Sequence, residues 1–177
     1  MRDRRVEGEE SGWLDRYAWI RLPLDDLQQR LLISLCRAVA RSSANGASPI
    51  RLAFVYDGGA FDAGTGCYIF AGKEYGLYCS TCVLALYRGI GVELLDRGTW
   101  TASPETASQI GQFVRDLYKR GEDLHARRVL NDQSAVVFHP LEIVAACAVG
   151  EPIEFARARE FTGRLHEEYD ALFDVDL

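Results

Sequence analysis

Gly76-Leu77-Tyr78-Cys79-Ser80-Thr81-Cys82-Val83-Leu84-Ala85-Leu86-Tyr87-Arg88-Gly89 is the stretch on which the fold reading turns. A short Gly-Leu-Tyr lead runs into a Cys-x-x-Cys pair, and an apolar run closes on Arg-Gly. The lead predicts a strand, residues 83–88 a short helix, and Val92-Glu93-Leu94-Leu95 a further strand. The cysteine pair is then expected at the carboxyl end of a strand, where an open α/β sheet places its site.

Upstream, Ile50-Arg51-Leu52-Ala53-Phe54-Val55-Tyr56 is almost continuously apolar, as in a strand covered on both faces. Asp57, Gly58 and Gly59 follow it directly and are expected at the same sheet edge, as a ligand-binding loop or as a simple flexible connection. No Gly-Lys-Ser/Thr follows, so this is not a phosphate-binding P-loop. Cys67 to Ala71 fits either a short helix or a strand. Further out, Leu24, Leu27, Leu31, Leu35 and Val39 recur at helical spacing behind the acidic pair Asp25-Asp26. Tyr17 to Leu22 suits a first strand ended by Pro23. Ser103-Pro104-Glu105 has the chemistry of a helix start, and Ala135 to Phe138 reads as a short strand. Leu141 to Val149 reads as a helix stopped by Gly150. Phe155, Ala158, Phe161, Leu165, Tyr169, Leu172 and Phe173 share one helical face.

Strands alternating with helices predict an α/β domain with a mainly parallel open sheet and flanking helices. The expected organisation is a disordered tail over residues 1–12, an α/β domain over 13–150, and a C-terminal amphipathic helix over 151–177. That helix would pack on the domain or on a partner.

The chain has 177 residues, 48% hydrophobic and 26% charged, with a formal charge of −6. That balance suits a globular domain and argues against a general nucleic-acid or anionic-membrane binder. No apolar stretch approaches the roughly 20 residues needed to span a bilayer. The N-terminus lacks the apolar segment of a secretory signal. The odd cysteine count (Cys36, Cys67, Cys79, Cys82, Cys147) speaks against a disulfide framework. A reducing cytoplasmic setting is the expectation.

The Cys79–Cys82 pair supports three chemistries. One thiolate can act as a nucleophile or persulfide carrier, with Arg88 as a possible nearby cation. The two can form a dithiol/disulfide couple. They can also supply half of a zinc site, with Cys67, His125, His139 and His166 as candidates for the rest. No second pair at ligand spacing exists, so no metal and no cofactor are expected. Two buried structural cysteines are the competing reading. Cys36 and Cys147 fall inside predicted apolar helices and read as core.

The order of these segments is similar to the DsrE/TusD-type sulfur-relay family, including the DsrE-like part of YedF-type proteins. Pro49 to Gly59 resembles the family's second strand and its glycine. Gly76 to Cys82 resembles a Cys-Gly-Thr-Cys element, with Ser80 where Gly is common, and Cys82 to Gly89 resembles the Cys-plus-apolar-run-plus-Arg-Gly of relay subunits. The resemblance covers roughly residues 17–139 and leaves the last helix outside. It implies a DsrE-like fold, sulfur carried on Cys82 or Cys79, and a relay partner or a homo-oligomer. The alternative is a non-catalytic interaction or regulatory domain whose cysteines are structural.

Overall fold

The computed structural model describes residues 22–46, 56–71, 77–101 and 136–173, with Ser108, Gly111, Gln112, Arg115, Asp116 and Lys119 between them. Those six are helical. In chain order the elements are α1 (Asp26–Ala44), a hairpin of β1 (Ala60–Phe61) and β2 (Tyr68–Ile69), α2 (Cys79–Gly89), a 3-10 turn at Arg97–Thr99, α3 (Pro140–Val149) and α4 (Phe155–Phe173). The strands expected at Tyr17–Leu22 and Ile50–Tyr56, apart from Leu22 and Tyr56 themselves, the tail over residues 1–12, the helix start at Ser103 and His125 lie outside the described residues.

The expected mainly parallel open sheet of a DsrE-like fold is overturned. Helix dominates the described residues, and their sheet is the antiparallel pair β1–β2, with Ala60 opposite Ile69 and Phe61 opposite Tyr68. Two of the expected strands show why. Leu94 and Leu95 are extended, yet their parallel pairing is confined to a bridge with Ile153, through Ile153 N–H to Leu94 O at 3.0 Å and Asp96 N–H to Ile153 O at 3.1 Å. In the segment before α3, Phe138 N–H donates to the Tyr78 hydroxyl, and that hydroxyl donates to Phe138 O at 3.1 Å; no ladder to this segment is found among the described residues. The Gly-Leu-Tyr lead stays short because α2 begins at Cys79.

Helix α1 starts where its side chains can satisfy the orphan N–H groups of its first turn. Asp25 accepts from Gln28 N–H at 2.7 Å, and the Gln28 amide oxygen accepts from Asp25 N–H at 3.1 Å, a reciprocal capping box. The expected apolar face is split. Leu24 and Leu35 are buried, while Leu27 and Leu31 remain 65% and 41% exposed. The buried face runs instead through Leu35, Ala38 and Ser42, with Leu32 and Val39 beside it.

Helix α2 is the hub, packing against β1, α1 and α3, and α3 packs in turn on α4. Its Ser80, Thr81, Leu84, Ala85 and Tyr87 are buried, with Thr81 and Ala85 at 0% exposure. An aromatic group seals the far side. Trp100 lies 5.1 Å, ring centre to ring centre, from both Phe138 and Phe155, and its indole N–H donates to Ile153 O at 3.4 Å. Such tilted aromatic pairs add about 0.5–1.5 kcal/mol each beyond burial. Among the described residues, no helix is long and apolar enough to cross a membrane.

The Asp25 cap gives a direct test of α1. Asp25→Ala should cost about 1 kcal/mol of stability, read as a lower denaturant midpoint at unchanged slope. Asp26→Ala, whose carboxylate makes no cap, should cost less.

Candidate functional site

Cys79 is the first residue of α2 and is exposed; Cys82 lies one turn in and is half-buried. The turn that holds them is made by their neighbours. Tyr78 N–H donates to the Thr81 hydroxyl at 2.9 Å, and that hydroxyl donates to Tyr78 O at 3.1 Å. Cys82 N–H closes the first helical bond, to Tyr78 O at 2.8 Å. The Tyr78 hydroxyl reaches across to Phe138, tying the start of α2 to the extended segment that leads into α3. Burial pushes the Tyr78 phenol up.

The two thiols differ in environment. Burial pushes the Cys82 thiol up, and Cys36 on α1 and Cys79 add to the effect as neighbouring thiols. A turn of helix holds side chains at i and i+3 about 5–6 Å apart at Cβ, an adjustment of an ångström or two from disulfide geometry. Deeper in, the Tyr87 hydroxyl faces the thiol of buried Cys147, and desolvation raises both groups. Cys67 sits at the hairpin, its sulfur 3.4 Å from the Ser42 hydroxyl.

Arg88 is not beside the cysteines. At about 1.5 Å rise and 100° per residue, it lies about 13 Å along the axis from Cys79 and on the opposite side. Its Nη1 pairs with Glu93 Oε1 at 3.2 Å. A Cβ at Gly58 would lie 3.3 Å from that Nη1, and it would collide with the guanidinium of Arg97, a residue the sequence reading passed over. The structure thus brings Arg88 to the Asp57-Gly58-Gly59 loop.

That loop is tightly bonded, not a slack connection. Asp57 Oδ1 accepts from Gly59 N–H and from the Tyr68 hydroxyl, both at 2.8 Å, and Oδ2 accepts from Ala71 N–H at 2.9 Å. The Tyr56 hydroxyl donates to Gly59 O at 2.9 Å. Gly58 takes φ +87°, a left-handed conformation that glycine alone adopts without strain. Any side chain at Gly59 would meet the Tyr68 hydroxyl and the Ile69 carbonyl. Burial pushes the Tyr56 phenol up to about 12, although Arg88 and Arg97 pull the other way.

Among the described residues, no group of three His, Cys, Asp or Glu side chains is placed to share a metal ion. His139 N–H donates to Glu142 Oε2 at 3.0 Å at the start of α3. A shallow apolar depression of about 260 Å³ at the start of α1 is lined by Leu22, Leu24, Gln29, Leu32 and Ile33 and holds none of these groups. Comparison with family models, with curated proteins and with solved structures returns no match, so the functional reading rests on this geometry.

Cys82 and Cys147 hold their protons longer in the folded chain than in the unfolded one. Above the ordinary thiol range, near 8.5, the unfolded chain therefore binds fewer protons, and stability falls as pH rises. Chemical denaturation from pH 7 to 10 should show that fall. It should be shallower in Cys82→Ser, because one of the two raised thiols is gone.

Proposed function

We propose that the protein handles thiols through the Cys79–Cys82 pair, with Cys79 as the attacking thiol and Cys82 as the resolving one. The observation that carries this reading is the unequal placement of the pair: Cys79 is exposed at the first position of α2, and Cys82 is half-buried one turn later. An attacking thiol must be reachable, and a resolving thiol works best when shielded from solvent oxidants and held within reach of its partner. The first-turn N–H groups of α2 also put the positive end of the helix dipole at this site.

The chemistry needs a disulfide as substrate, on a protein or a small molecule. The Cys79 thiolate attacks one sulfur, the substrate S–S bond breaks, and the other half leaves as a thiolate. Cys82 loses its proton to solvent or to that leaving thiolate, attacks Cys79 in the mixed disulfide, and releases the second half. The substrate is reduced by two electrons and the pair is oxidised to an intramolecular disulfide. A persulfide variant uses the same first residue: Cys79 takes a sulfane sulfur from a persulfide donor, which leaves as a thiol.

The second reading, an interaction domain with structural cysteines, fits Cys147, which is buried. It does not fit Cys79, whose exposure leaves it without a packing role.

Mass spectrometry of the protein incubated with a small aromatic disulfide separates the two readings. Wild type should end with an internal Cys79–Cys82 disulfide. Cys82→Ser should accumulate a mixed disulfide on Cys79, and Cys79→Ser should react at least tenfold more slowly. Equal reactivity of all three proteins would overturn the proposal.

A further inference from the structure

We infer that Arg88 and Arg97 form a clamp for a phosphate group at Gly58, at the end of α2 remote from the cysteines. Both guanidinium groups border the point where a side chain on Gly58 would begin. They are therefore each other's neighbours, two full positive charges brought together by an α2 residue and a residue of the 3-10 turn. The absence of a Cβ at Gly58 is what admits Arg97, and the left-handed backbone there presents the bare Cα to it.

Two carboxylates lie near this pair among the described residues. Glu93 meets Arg88 at 3.2 Å, but both side chains are well exposed, at 48% and 38%. Such a contact is readily exchanged for another. Asp57 is another carboxylate near the pair, and its oxygens also accept from Gly59 N–H, Ala71 N–H and the Tyr68 hydroxyl. Arg97 faces no carboxylate among the described residues. Its Nη2 reaches Tyr56 O at 3.4 Å, and its Cζ stands 5.2 Å from the centre of the Tyr56 ring. Stacking on an aromatic face fixes the plane of a guanidinium while leaving its N–H edge for an oxyanion.

The ligand's charge follows from this arrangement. A single carboxylate would repeat what Glu93 already does. A tetrahedral dianion can accept from both forks at once and displace Glu93 from Arg88. The ligand is thus free phosphate or a phosphate monoester.

The test is a two-dimensional NMR titration of the full chain at low ionic strength, where exposed charges are least screened, with inorganic phosphate and separately with methyl phosphate. Saturable shifts at the Gly58 and Gly59 amides and at the Arg97 Nε–H are expected. The tighter of the two ligands identifies the source. Arg97→Ala should weaken binding at least tenfold, Arg97→Lys should recover part of it, and Glu93→Gln should tighten it. Shifts that rise linearly without saturation would overturn the clamp. So would an Arg97→Lys protein with unchanged circular dichroism that binds as wild type does. Cys79→Ser should bind phosphate normally.

Discussion

Three elements can approach α2 closely because its inward side chains are short. Thr81 and Ala85 have no exposed surface, and Ser80 is almost as deeply placed. Close approach shortens the distances over which Leu84 and Tyr87 can reach, so the hairpin, α1 and α3 all share one core with this helix. The Tyr78 hydroxyl adds a polar fastening at the helix start by satisfying both backbone groups of Phe138. Buried backbone groups must find hydrogen-bond partners, and at Phe138 one phenol supplies them. That bond ties the start of α2 to the segment that leads into α3.

The helices were legible because their signals are periodic and repeated. Residues 24–39 carry the spacing of α1, and Asp25 with Gln28 completes a cap that the acidic pair foreshadowed. Leu141 to Val149 ends at Gly150, which takes the left-handed φ of a helix C-terminus. The strands were misread for a physical reason. Runs of four to eight apolar residues fit a buried strand, a helix turn or an extended core segment equally well. Val92 to Leu95 and Val136 to Phe138 are the third kind. Leu94, Leu95 and Phe138 are buried in the core, while Leu94 O accepts from Ile153 N–H at the bridge, Val92 N–H donates to Tyr87 O at 3.0 Å, and Phe138 bonds to Tyr78.

The cysteine pair was visible in the sequence from its spacing alone, but its division into an exposed and a half-buried thiol was not. That division depends on α1, whose contact with α2 covers one side of the first turn. Arg88 looked close to the pair because it is close in sequence, and helical rotation carries it to the other side. Arg97 carried no obvious mark. The available clue was Asp96-Arg97-Gly98, where the Asp96 carboxylate accepts from Gly98 N–H at 3.2 Å and turns the chain back.

The rotation that separates Arg88 from the cysteines also separates two kinds of chemistry. About 13 Å of helix lies between the thiol end and the arginine end, well over the screening length of about 8 Å at physiological salt. At the other end Arg88, in the last turn, complements the C-terminal carbonyls of the same helix. One element thus holds Cys79 at its N-terminal end and Arg88 in its last turn, where the dipole favours a cation.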